Sequence, residues 1–156
     1  MPQPDYTITC KPFDSLTPHE LYAIMQLRNE VFVVEQHCIY QDADNKDQQS
    51  HHLMIWDKQK LVAYSRLIPA GVAYKQISIG RVISSGAYRN TGAGKLLLAN
   101  AIEKCQALFG AGPIHIGAQL YLRKFYESFG FVKVSEMYLE DNIEHIEMER
   151  GKLMSE

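Results

Sequence analysis

One segment near the middle of the chain combines the residue types that bind a phosphate group. Arg89-Asn90-Thr91-Gly92-Ala93-Gly94-Lys95 lies between an apolar predicted strand and an apolar stretch with helical spacing. The N-terminus of a helix presents unpaired N–H groups and a partial positive charge, which together hold anions. Glycines let the backbone approach a ligand closely, and Arg89 adds a charged donor. The segment therefore predicts a site for a phosphate-bearing ligand.

Two common phosphate-binding motifs do not fit this segment. A P-loop needs glycine five residues before Gly94 and Ser or Thr after Lys95, where this chain has Arg89 and Leu96. A dinucleotide fingerprint that begins at Gly92 needs a further glycine at the position of Leu97. The pattern that remains is Arg-x-x-Gly-x-Gly between a strand and a helix.

A second segment, 119–131, has the sequence QLYLRKFYESFGF and carries Tyr126. The two segments together resemble the pyrophosphate loop and the Asn-x-x-Ala-x-x-Phe-Tyr-x-x-x-Gly-Phe segment of the GNAT superfamily of N-acetyltransferases, which bind acetyl-CoA. Gln119 stands where the superfamily often has Asn, and Leu122 where it often has Ala. The resemblance covers nearly the whole chain. It implies a single α/β domain with a mixed β-sheet flanked by helices.

Four further segments resemble the ElaA-type branch of that superfamily. They are LRNEVFVVEQ at 27–36, GRV at 80–82, YLED at 138–141 and IEHIEM at 143–148. The acceptor of that branch is poorly defined, so the resemblance sharpens the expected fold and leaves the substrate open.

The resemblance implies a set of residues that contact acetyl-CoA. A strand edge aligns the pantetheine arm, and the loop holds the pyrophosphate mainly through backbone N–H groups. The residues are Val82, Ile83 and Ser84 on the strand, Arg89, Asn90, Thr91, Gly92, Ala93, Gly94 and Lys95 in the loop, and Gln119 and Phe125 beyond it. Phe125, with Phe129 and Phe131, is also expected in the core.

Acetyl transfer from a thioester to an amine needs an acid for the departing thiolate and a base for the amine. Tyr126 matches the superfamily tyrosine, and a phenol held close to a thiolate can protonate it. The superfamily has no single position for the base, so two candidates stay open. Glu136 shares a predicted strand face with Val132 and Val134, and Glu35 ends the first long helix.

Two further residues are candidates for binding the acceptor. Arg81 shares a face of the predicted central strand with Ile79 and Ile83, so it needs an anionic partner: Glu35, Glu136 or a substrate carboxylate. His145 could relay a proton near neutral pH. The acid-rich stretch 134–149, which has no Lys or Arg, is either a solvated surface or an attractor of cationic amines.

The elements that position these residues follow the order β-α-β-β-β-α-β-α-β-β in one domain, 1–156. Thr17-Pro18-His19-Glu20 predicts the start of the first helix, with a capping box and Pro at the first helical position. The polar stretch 36–50 predicts a loop and a candidate flap over the site. It is not a calcium loop, because counting from Asp42 places Asp47 where glycine is needed.

Composition limits the remaining function classes. The net charge of −2 argues against nucleic-acid binding, and no apolar run is long enough to span a membrane. Three cysteines far apart do not form a disulfide framework, and the N-terminus lacks the features of a signal peptide. We expect a cytoplasmic acetyl-CoA-dependent N-acetyltransferase without a metal, acting on a primary amine of a small molecule or a peptide. The alternative is a non-catalytic acyl-CoA-binding module, and a homodimer stays open.

Overall fold

The computed structural model describes residues 5–151, in which strands and helices alternate as the hydrophobic pattern predicts. The helices are α1 (Pro18–Arg28), α2 (Ala93–Phe109) and α3 (Arg123–Glu127), and a π-helical segment, Asn29–Glu35, continues α1. The strands are β1 (Tyr6–Pro12), β2 (His51–Asp57), β3 (Lys60–Ile68), β4 (Ile77–Ser84), β5 (Ile114–Gln119), β6 (Val132–Lys133), β7 (Tyr138–Glu140) and β8 (Ile143–Arg150).

The start of α1 confirms the predicted capping box. The hydroxyl of Thr17 accepts a hydrogen bond from the N–H of Glu20 at 3.1 Å, and the Glu20 carboxylate accepts one from the Thr17 N–H at 2.8 Å. Beyond Arg28 the backbone widens into the π-helical segment, which rotates the following residues relative to the α-helical stripe. Helical spacing of Ile24, Val31 and Val34 predicts one apolar stripe, but the rotation leaves Val34 65% exposed.

The eight strands form one mixed sheet, in the order β1-β2-β3-β4-β5-β8, with β6 and β7 pairing to different stretches of β8. All neighbours are antiparallel except β4 and β5. Successive strand residues face opposite sides, so Met54 packs with Ile24 of α1 while Leu53 packs with Leu97 of α2. Helices therefore cover both faces, and the predicted α/β class with a mixed sheet is confirmed.

The one parallel pair is short. Among residues 5–151, β4 and β5 pair only at Ile77–Ile114 and Ser78–His115, after which the two strands diverge. On its other edge, β4 carries a bulge, because Arg81 and Val82 lie opposite the single residue Ser65 of β3. Arg81 adopts a left-handed φ of 51° there. The divergence opens a gap in the middle of the sheet.

The C-terminal third differs most from the sequence-based prediction. Alternating residues over 131–137 predict a strand, of which only β6 forms. The acidic residues of 138–144 predict a loop, but this stretch contains an additional strand, β7. The apolar spacing of Leu122, Phe125 and Phe129 predicts a helix over about 119–128, whereas the structure has a 3₁₀ turn, Leu120–Leu122, followed by the short helix α3. No helix within 5–151 has the length and apolar character that a membrane span requires.

Candidate functional site

A cavity of about 980 Å³ lies in the gap between β4 and β5. Its walls include β4 from Ile79 to Ser84, with Gly117 and Gln119 of β5 on the opposite side. Because β4 has no strand partner there beyond Ser78, its backbone N–H and C=O groups on this edge face the cavity unpaired. Such an edge can accept an extended, amide-bearing ligand as an added strand. Val82, Ile83 and Ser84, the predicted cofactor contacts on this strand, all line the cavity.

The predicted anion loop forms one end of the same cavity. Gly92 caps α2 with a left-handed φ of 89°, and the first bond of the helix runs from the Leu96 N–H to the Gly92 carbonyl at 3.0 Å. The N–H groups of residues 93–95 therefore precede the helical ladder and are available at the helix N-terminus. A Cβ on Gly94 would lie 3.9 Å from Phe125, so the absent side chain leaves space on the cavity side.

Individual residues of the loop have different surroundings. Arg89, Asn90, Gly92, Gly94 and Lys95 line the cavity. Thr91 and Ala93 do not: the Thr91 hydroxyl donates to the Tyr88 carbonyl at 2.5 Å and lies 3.0 Å from the Tyr6 hydroxyl, and Ala93 is buried in the core. The side chains of these two residues thus lie outside the cavity lining, and their predicted contact with the cofactor concerns their backbone N–H groups.

Arg89 is ion-paired across the cavity mouth. Its Nη2 donates to Glu35 Oε1 at 2.5 Å and to the Ser84 carbonyl at 3.1 Å. Both charged side chains are partly exposed. Glu35, one of the two predicted bases, therefore lines the cavity with its carboxylate already engaged by a guanidinium.

Tyr126 lines the cavity from α3. The residue is 5% exposed, and its ring packs edge-on against Phe125 and Phe131, with ring centres 5.4 and 5.8 Å away. Its hydroxyl makes no hydrogen bond to any residue within 5–151. Burial raises the pKa of Tyr126 above its ordinary value, so the phenol holds its proton until a strong base is formed beside it.

Gln119, His145 and Tyr138 form a row across three strands. Gln119 lies opposite His145 in the β5–β8 ladder, and His145 lies opposite Tyr138 in the β7–β8 ladder. The Gln119 amide exchanges hydrogen bonds of 3.3 and 3.4 Å with Gln36 at the end of the π-helical segment. The row therefore faces the α1 side of the sheet, and both Gln119 and His145 line the cavity.

Glu136, the other predicted base, does not reach the cavity. The strand that was to carry it ends at Lys133, and Val132, Val134 and Glu136 are all exposed. The prediction of a buried face shared by these residues is wrong, because only two residues of this stretch pair with β8.

Arg81 has a different anionic partner from those predicted. Its Nε lies 2.8 Å from Asp42 Oδ1, and its Nη2 donates to the Asp42 carbonyl at 2.8 Å. Glu35 and Glu136 are not among its partners within the described residues. The bulge in β4 removes Arg81 from the alternation with Ile79 and Ile83, and directs it towards the loop that follows the π-helical segment.

Arg81 belongs to a cluster of three arginines and three aspartates, which we call the Arg–Asp cluster. Its members are Arg28, Arg66 and Arg81 from α1, β3 and β4, and Asp42, Asp44 and Asp47 from the loop 36–50. Burial alone would favour the neutral carboxyl, but hydrogen bonds and charge from Arg28 and Arg66 outweigh it and hold the pKa of Asp47 below its ordinary value. The cluster was missed in the sequence, although three arginines in otherwise apolar segments and one acidic loop were visible signals.

The cluster fixes the course of the loop 36–50. Arg28 is fully buried and binds Asp42 and Asp47 at 2.7 Å each, so the middle of the loop is tied to α1 and to the sheet. The preceding residues Cys38 and Tyr40 line the cavity. The loop therefore forms a wall of the site, anchored by ion pairs, rather than only a cover over it.

The comparisons with known proteins agree with this geometry. Residues 16–152 match the family model described as an acetyltransferase (GNAT) domain. The chain belongs to the GNAT acetyltransferase family. Protein ElaA of Escherichia coli (strain K12) is 43% identical over 137 residues, which are 86% of this chain and 90% of that protein.

Solved GNAT structures have the same fold. A crystal structure of an acyl-CoA N-acyltransferase from Pseudomonas aeruginosa is similar with a TM-score of 0.89 at 45% identity, over 94% of this chain and 99% of that one. The crystal structure of Escherichia coli ElaA gives a TM-score of 0.89 at 39% identity, with the same coverage. The expected GNAT fold and ElaA-like branch are confirmed. GNAT membership supports binding of an acyl-CoA and acyl transfer in general.

Proposed function

We propose that this GNAT protein is an acetyl-CoA-dependent N-acetyltransferase that moves the acetyl group directly to a primary amine of a small molecule or a peptide. The observation that carries the proposal is that one cavity joins the unpaired edge of β4, the N-terminus of α2 and the buried Tyr126. A binding edge, an anion site and a proton donor thus share one space.

The residues around the cavity fit acetyl-CoA. The backbone groups that β4 presents on its cavity edge suit the amides of the pantetheine arm, and the α2 N-terminus suits its pyrophosphate. Gly94 leaves room for the phosphates to approach the backbone, and Phe125 forms an apolar wall beside it. When bound, acetyl-CoA supplies an acyl group activated as a thioester.

Two groups of the chain would act on the reacting atoms. A backbone N–H at the β4 bulge, near Val82, would stabilise the negative charge that develops on the acyl oxygen. The Tyr126 hydroxyl would give its proton to the departing sulfur. Its raised pKa keeps it protonated at neutral pH, and the thiolate, a base formed in the cavity, would take the proton only at close range.

The test measures release of free thiol from acetyl-CoA with a panel of small amines and lysine-containing peptides. The Tyr126→Phe variant should lose about 10²-fold in kcat. Because the Tyr126 hydroxyl has no hydrogen-bond partner among the described residues, CoA binding and the melting temperature should stay at the parent values.

Three outcomes separate the alternatives. Unchanged turnover of Tyr126→Phe would remove Tyr126 from the acid role. Binding of CoA without turnover of any amine would favour the non-catalytic acyl-CoA-binding module on the same fold. Absence of CoA binding would reject both functions.

A further inference from the structure

A hydrogen bond to the backbone determines which tautomer the neutral His145 side chain adopts. Its Nδ1 lies 2.7 Å from the carbonyl oxygen of Ile143. A carbonyl only accepts hydrogen bonds, so Nδ1 must carry the hydrogen. In the neutral imidazole the lone pair is then on Nε2.

Nε2 of His145 is the atom without a protein partner. His145 is 8% exposed and lines the cavity, and its ring stacks on Tyr138 with ring centres 5.8 Å apart. Within residues 5–151, Nε2 receives no hydrogen bond. A buried imidazole is thus held by a neighbouring carbonyl and by a ring face, while its basic nitrogen is left for a ligand.

The acids that share the cavity are less suited to take a proton. Glu35 is bound to Arg89 at 2.5 Å. Glu140, the last residue of β7, and Asp141, in the turn that follows, are exposed, so water surrounds both carboxylates. Asp42 lies behind the cavity wall, in the Arg–Asp cluster, where it binds Arg28 and Arg81.

We propose that His145 is the general base that removes a proton from the amine of the acceptor. This inference rests on the proposed acetyl transfer and adds to it the missing base. The position of His145, opposite Gln119 on the α1 side of the sheet, places the acceptor between β8 and the edge of β4. The anion loop and Tyr126 line the part of the cavity in which the cofactor would bind.

The proton balance of the step is complete. The acceptor enters as an ammonium, and His145 Nε2 takes one proton from it. The freed lone pair attacks the acyl carbon, so a C–N bond forms and the C–S bond breaks. The sulfur leaves with the bonding electrons and takes the Tyr126 proton. The amide nitrogen releases its surplus proton to solvent, Tyr126 regains a proton from solvent, and the His145 imidazolium releases its own there.

The first test needs no turnover. Nitrogen-15 NMR of the histidine side chains, with His145→Gln to assign the signal, reports which ring nitrogen carries the hydrogen in the neutral form. We expect Nδ1–H and a bare Nε2 for His145, and a change at Nε2 when propylamine is added in the presence of CoA. An Nε2–H tautomer would overturn the proposal.

The second test is kinetic. His145→Gln keeps a polar side chain but has no basic nitrogen, so kcat/KM for the amine should fall about 10²-fold, while CoA affinity is unchanged. The kcat/KM of His145→Ala should fall equally, and it should recover at least about tenfold when free imidazole is added. A residue that only supports the fold would give no such recovery.

His115→Gln is the matched control, because His115 has the same 8% exposure on the neighbouring strand. Its ring nitrogens bind Glu147 and Glu149 at 2.7 and 2.8 Å, away from the cavity. We expect parent activity from this variant. Turnover of His145→Gln within threefold of the parent would refute the role of His145 as the base and leave the acetyltransferase proposal standing. A parent protein that acetylates no amine would refute the acetyltransferase proposal itself.

Discussion

Arg89 Nη2 lies 2.5 Å from Glu35 Oε1, so the arginine of the anion loop is paired with a carboxylate at the end of the π-helical segment. A pyrophosphate placed at the N-terminus of α2 would compete with Glu35 for this guanidinium. Glu35, which the sequence offers as a candidate base, would therefore also oppose anion binding through Arg89, and its replacement distinguishes the two roles.

Glu35→Gln should tighten CoA binding, because it removes a negative charge beside the phosphates and frees Arg89. The pair is partly exposed, and such pairs contribute about 0.2–1 kcal/mol, so we expect the Kd for CoA to fall by up to about fivefold, measured by calorimetry. Glu30→Gln, on the same π-helical segment but facing solvent away from the cavity, is the control. A large loss of kcat in Glu35→Gln would instead restore Glu35 as the base.

Gly94→Val should weaken CoA binding at least about tenfold while the fold is retained. A Cβ at this position meets only Phe125, at the ordinary contact distance of 3.9 Å, so the protein itself accommodates it. The added side chain occupies the space through which a phosphate would approach the backbone.

Gly112→Ala is the control for Gly94→Val. Its Cβ would also meet one carbon at 3.9 Å, in Ile77, and Gly112 lies outside the cavity. Equal CoA affinity of both variants and the parent would show that the loop does not hold the phosphates.

Asp47→Asn should lower the free energy of unfolding by about 3–5 kcal/mol, because it leaves the buried charges of Arg28 and Arg66 without their shared carboxylate. Chemical denaturation measures the loss. Asp14→Asn, exposed and without an ion pair within residues 5–151, should stay within about 0.5 kcal/mol of the parent.

The same carboxylates predict a pH dependence of stability. Hydrogen bonds and charge from arginines, acting against burial, hold the pKa values of Asp44 and Asp47 below the ordinary value. A lowered folded-state pKa contributes stability above the unfolded value of about 3.9, and this contribution is lost as the pH falls towards the folded value. The free energy of unfolding should decrease below about pH 5, and it should decrease less steeply in Asp47→Asn than in the parent. Equal slopes of the unfolding free energy against pH for the two proteins in this acid range would contradict the prediction.

Replacing Glu140 and Asp141 together by lysine should raise KM for alkylammonium acceptors about tenfold at low salt, because both exposed carboxylates line the cavity mouth and would attract a cation. An aromatic amine that is neutral at the assay pH should be unaffected. Glu144→Lys, exposed on β8 outside the cavity, is the control. An equal rise in KM for charged and neutral amines would indicate distortion of the site instead of steering.

Local patterns in the sequence were enough to predict the capped start of α1, the order of most elements and the anion loop. Each of these features depends on residues close together in the chain: Thr17 bonds to Glu20, and Gly92 starts the helix that follows it. The fold class followed, because apolar spacing separates strands from helices. Two linked motifs also indicated the family.

The tertiary structure decided how distant residues combine. The bulge at Arg81 and the divergence of β4 from β5 depend on strand register, which local periodicity does not encode. Arg81 therefore pairs with Asp42 and not with Glu35 or Glu136, and the strand predicted to carry Glu136 ends at Lys133. Likewise, the Arg–Asp cluster and the free Nε2 of His145 arise only when residues far apart in sequence meet. The sequence by itself determined which chemical groups are present and where the glycine turn that begins α2 lies. Long-range packing determined which of these groups face the cavity.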